Sequence, residues 1–140
     1  MIPDLLSRVS AIRLFSDLRY LCRDPLPFRK VTYTRPGQNR HSLAEADAYI
    51  RGQLEAAGYA TTDTPIKVQA FRCDRTKPLH HWYATPAPDD PWYDAANLEA
   101  FRPGSEHPGE IIQVIAHKDS MSWIDSPGAR GPHQLIKSGA

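Results

Sequence analysis

Cysteine is scarce in this chain: 140 residues contain two, Cys22 and Cys73. Two thiols could close one disulfide, but they exclude a disulfide-stapled scaffold. They also lack the close pairing that thiolate zinc sites or C-x-x-C redox motifs need. Two half-buried free thiols are the simpler reading. Long apolar runs are missing as well. The longest, Ile111 to Ala116, is broken by Gln113, far below the ~18 residues of a membrane span. The start, MIPDLLSRVSAIRLF, carries Asp4 and Arg8 among its apolar residues and has no basic opening followed by an unbroken apolar stretch, as a signal peptide would. As it stands the chain reads as cytoplasmic, or as an exported chain whose start is lost. Nor is there an excess of one charge. Lys plus Arg number 17 against 16 Asp plus Glu, for a net charge of +1, which argues against a dedicated nucleic-acid binder.

Proline is plentiful. There are 13, nine of them between Pro65 and Pro132, where a typical content is about 5%. The second half is therefore expected to be loop-rich, with any sheet short and interrupted. With 41% hydrophobic and 24% charged residues, the composition is that of a globular chain of single-domain size.

The periodicity predicts two helices. Over residues 4–22, Leu5, Val9, Ile12 and Phe15 recur at helical spacing, and Leu18, Leu21 and Cys22 extend the stripe. Asp4 is the candidate N-cap, and Arg8, Arg13, Asp17 and Arg19 form the polar side. Pro25 and Pro27 end this helix. Residues 24–41, with Arg29, Lys30, Arg35 and Arg40, read as a solvated basic loop rather than a phosphate-binding patch, because Phe28 and Tyr33 give little aromatic interleaving. A second helix over residues 43–57 opens on Ser42 and Glu45, an S-x-x-E capping box. It carries Leu43, Ala46, Ile50, Leu54 and Ala57 on one face and stops at Gly58.

Strands follow. Ile66, Val68 and Ala70 alternate with Lys67 and Gln69, as in an edge strand. Residues 74–94 read as an irregular excursion, and His80–His81 within it as surface rather than metal ligands, since neighbours on a strand point to opposite faces. Residues 97–101 form a short strand candidate. Residues 110–117, EIIQVIAH, are apolar on both faces and predict a strand buried in mid-sheet. The order gives an α/β fold: two N-terminal helices, then a short mixed sheet.

The chemistry-bearing segment is IAHKDSMSWIDSPGA, residues 115–129. His117 and Asp119 stand two apart and share a side in extended geometry. They fall at a strand end, where α/β sheets place ligands. A neutral imidazole suits zinc, and a nearby carboxylate can set its tautomer.

On these residues the chain resembles the co-catalytic zinc aminopeptidases, the family of aminopeptidase Y, bacterial leucyl aminopeptidases and the glutamate carboxypeptidase relatives. AHKDS followed by SPGA looks like that family's first metal segment. SLAEADAYIRGQLEAAGY is similar to its early helix, and NLEAFRPG to the strand before the metal strand. The likeness runs from about residue 42 to residue 129, patchy through 74–94. It implies a partial three-layer α/β sandwich of the zinc exopeptidase type, with residues 1–129 as the N-terminal part of a peptidase domain and 130–140 as an unassigned tail. It implies two zinc ions, a peptide substrate, His117 as a ligand to one zinc and Asp119 as the catalytic-site aspartate orienting that shell. Ser120 would be structural in the turn.

The chain also departs from the pattern. Gly131 stands where the family's bridging aspartate is expected; Asp125 reads as a loop residue, and His133 has no supporting context as a substitute ligand. The family's paired Glu-Glu, later acidic ligand and final His have no counterparts before Ala140. The expectation is a truncated or frame-shifted chain, catalytically incomplete. Its alternatives are a non-catalytic remnant and an unrelated α/β domain with a chance H-x-D. An apolar strand without its neighbours is also expected to drive self-association through an open sheet edge.

Overall fold

The computed structural model describes residues 7–69, 72, 73, 76, 83, 84 and 86–120. Two helices, α1 (Ala11–Cys22) and α2 (Ser42–Ala56), precede four strands: β1 (Ala60–Gln69), β2 (Arg72–Cys73), β3 (Tyr83–Ala84) and β4 (Trp92–Phe101). β1 and β4 pair antiparallel over their whole length, from Ala60 opposite Phe101 to Gln69 opposite Trp92. β2 and β3 form a two-residue antiparallel ladder nested between them in the chain. Among the described residues the sheets are thus antiparallel, not mixed, and the arrangement is a partial α/β fold. Both long strands outrun the stretches expected from alternation. Cross-strand pairs help extend the ladder, with Lys67 bonded to Asp94, and Thr64 donating to Glu99 at 2.5 Å. No helix of the described residues is long and apolar enough to cross a membrane.

α2 lies against both β1 and β4. Its start differs from the expected capping box. His41 is the N-cap: its Nδ1 accepts from the Ala44 N–H at 3.1 Å, and its Nε2 bonds the Asp94 carbonyl at 2.9 Å. Nδ1 accepts, so Nε2 carries the proton and donates. Ser42 sits one residue inside the helix, fully buried, where its hydroxyl accepts from the Lys30 N–H (3.0 Å) and donates to the Lys30 carbonyl (3.2 Å). Glu45 turns to Arg35, with Oε2 2.6 Å from the guanidinium. A hydroxyl that closes a long-range contact is no longer free to cap. The other end is as expected. Gly58 takes φ +83°, and the bonds Gly58 N to Glu55 O and Tyr59 N to Leu54 O complete a Schellman stop. Gly58→Ala should cost about 1 kcal/mol, read by thermal unfolding, because alanine resists positive φ.

α1 starts later than expected, capped by Ser10, whose Oγ accepts from Arg13 N; Asp4 and Leu5 lie outside the described residues. Its orientation reverses the expectation. Arg13, Asp17 and Tyr20, on one helical face, meet α2: Arg13 donates to Gln53 at 3.1 Å, Tyr49 donates to Asp17 at 2.6 Å, and the Tyr20 and Tyr49 rings stack at 3.8 Å. Val9, Ile12, Phe15 and Leu18 are left exposed. Specific polar and ring contacts with α2 decide which face docks, whatever the stripe favours.

The Tyr49 phenol is pushed up to about 12, first by its bond to the Asp17 carboxylate and then by burial. Folding therefore retains this proton above pH 10, where the unfolded chain releases it. Stability should fall as pH rises through 10 toward 12. Tyr49→Phe should remove that alkaline slope while costing about 1 kcal/mol at pH 7 in urea unfolding.

The stretch 24–41 is solvated only in part: residues 36–40 are exposed, but most of its first half is not. Leu26 and Phe28, with Leu43 and Ala46 of α2, are the buried apolar side chains among the described residues, and Arg29 is buried beside them. Cys22 is a free, half-buried thiol, in keeping with the expectation; nothing is described of the Cys73 side chain.

The largest departure is residues 110–117. The expected mid-sheet strand is neither in a ladder nor buried: Ile111, Ile112, Val114 and Ile115 are 82–94% exposed. A strand apolar on both faces needs neighbours on both edges, and the described residues supply none.

Candidate functional site

Segment 118–120 is held in place by Arg29. The Arg29 N–H donates to Ser120 Oγ at 2.9 Å, the Arg29 carbonyl accepts from Ser120 N at 3.0 Å, and Arg29 Nε donates to the Lys118 carbonyl at 2.9 Å. The same guanidinium donates to the Leu21 carbonyl and contacts Cys22 Sγ at 3.4 Å, so it also caps the C-terminal turn of α1. Ser120 is buried and structural, as expected. Lys118 reaches Asp47 of α2 at 2.5 Å in a partly buried ion pair.

Lys118 is thereby turned inward, and its two neighbours face out. His117 is 94% exposed and Asp119 about half exposed. The structure brings them together: His117 Nδ1 lies 3.2 Å from Asp119 Oδ1. A carboxylate beside Nδ1 favours the tautomer with the proton there and leaves the Nε2 lone pair free to bind an ion.

Beside this pair runs an open cleft of about 1490 Å3 between the β1–β4 sheet and residues 111–120. Ile66, Val68, Leu98, Ile112, Ile115 and His117 are among its walls.

Zinc needs three or four protein donors. Among the described residues no group of three His, Cys, Asp or Glu is placed to hold an ion, so His117 and Asp119 do not by themselves make a metal centre. Asp125, Gly131 and His133, like His80 and His81, lie outside the described residues. Sequence reasoning missed Arg29 and Asp47, which position the segment. Nothing in the pattern marks them, because their partners stand 89 and 71 residues away along the chain.

No protein-family model, curated protein or solved structure matches the chain.

Proposed function

We propose that the chain supplies the first ligand segment of a zinc-dependent exopeptidase of the aminopeptidase type. The observation that supports this reading is the His117–Asp119 pair, exposed beside an open cleft. Asp119 would hold the Nδ1 proton and orient the ring, and Nε2 of His117 would be the donor. Bound zinc supplies water activation and carbonyl polarisation; the chain's own part is to fix the imidazole through Asp119, with Lys118–Asp47 and Arg29–Ser120 fixing the backbone on either side.

Titration calorimetry with zinc tests it. The expected result is weak binding of no more than one ion per chain, abolished in His117→Ala and weakened about 10–100-fold in Asp119→Asn, with no hydrolysis of an aminoacyl-anilide. Two tightly bound ions per chain would overturn the reading of a single ligand segment. Zinc binding unchanged in His117→Ala would overturn the assignment of that residue.

A further inference from the structure

Residues 111–115 expose four large apolar side chains, with Ile112 94% exposed and Val114 88%. Their side chains lie on both faces, so no single covering layer could bury them. Among the described residues, none of the backbone groups of 111–117 takes part in a backbone hydrogen bond. The segment is held at its C-terminal end, where the Lys118–Asp47 pair and the Arg29–Ser120 bonds follow His117. A segment anchored there loses less entropy when a partner strand arrives than a free one would.

The sequence of the segment points to the partner. Ile-Ile-Gln-Val-Ile, residues 111–115, reads nearly the same in both directions about Gln113. Two copies related by a two-fold axis normal to the sheet pair antiparallel, with residues of like parity opposite one another. Centred on Gln113, Ile111 faces the partner's Ile115, Ile112 faces the partner's Val114, and Gln113 meets the partner's Gln113. Every apolar side chain then meets an apolar one, and the one polar side chain meets its own amide, which can both donate and accept. The cleft between β4 and the segment leaves room for the incoming strand.

We infer that a second copy of the chain docks here: residues 110–116 of two copies pair antiparallel about Gln113, each lying in the other's cleft, to join the two β1–β4 ladders into one sheet. This interface stands on the strand alone and does not rest on the peptidase reading.

Sedimentation velocity of the full chain in EDTA, so that zinc plays no part, combined with cysteine cross-linking, tests it. A dimer is expected, weakened at least ~100-fold by Ile112→Lys, since a buried lysine in place of an apolar anchor is strongly disfavoured. Circular dichroism of Ile112→Lys should match the unchanged protein, as that side chain touches little in the single chain. Gln113→Cys should form an interchain disulfide on oxidation, because its two copies lie opposite each other. Glu110→Cys should not, because its two copies are held about six residues apart along the strands. A monomer, a dimer indifferent to Ile112→Lys, or a Glu110→Cys cross-link forming as readily as that of Gln113→Cys would each overturn the interface. So would a monomer that takes up an extended apolar peptide in the cleft.

Discussion

Arg29→Ala should destabilise the protein by about 3 kcal/mol in urea unfolding, and should free residues 118–120. Two carbonyls, of Leu21 and Lys118, lose their guanidinium donor, and each buried group left unpaired costs about 1–3 kcal/mol. The C-terminal turn of α1 also loses a cation, worth a few tenths of a kcal/mol or more. Hydrogen exchange at Ser120, whose amide bonds the Arg29 carbonyl, should rise with global unfolding and above it. Arg29→Lys should recover only part of the loss, because an ammonium cannot span both carbonyls in the plane of a guanidinium. A loss under ~1 kcal/mol would mean that Arg29 does not hold the segment.

Leu26→Ala should cost a similar amount, about 3 kcal/mol, within the ~2–5 kcal/mol typical of large-to-alanine changes in a core. Leu26 is fully buried and shares the described core with only Phe28, Leu43 and Ala46. So small a core offers few neighbours to relax into the cavity and little reserve: native domains hold roughly 5–15 kcal/mol in all. The contrast lies with Ile112→Ala, as apolar a position by sequence. Measured under dissociating dilution it should change stability by less than ~0.5 kcal/mol, because Ile112 is 94% exposed. Equal losses at the two positions would show that the 110–117 segment is covered in the single chain.

Several elements were legible from residues alone. The second helix stands within a residue of its expected bounds, because its stripe and Gly58 act locally. β1 and β4 were visible as fragments. Pro65 lies inside β1, opposite Ala96, yet does not break it; an edge position spares a ladder bond and tolerates proline. The pairing of His117 with Asp119 also followed from spacing, since residues two apart in an extended chain share a side.

What failed were several inferences that depended on a distant partner. The apolar stripe of α1 faces solvent because Asp17 and Tyr20 find Tyr49 across the helix pair. Ser42 was assigned a cap and instead ties α2 to Lys30. Arg29 was read as one of several solvated basic residues, and it is buried at the junction of α1, the loop and segment 118–120. Burial of 110–117 was inferred from its composition, but composition states only what a strand needs. Thus the sequence by itself determined the helix stop at Gly58, strand segments at 66–69 and 97–101 and the side shared by His117 and Asp119, all set by backbone geometry within a few residues. Only the tertiary structure decided which faces are covered and which residues hold the site, because a hydrogen bond between Arg29 and Lys118, or an ion pair between Lys118 and Asp47, exists only once the chain has brought them together.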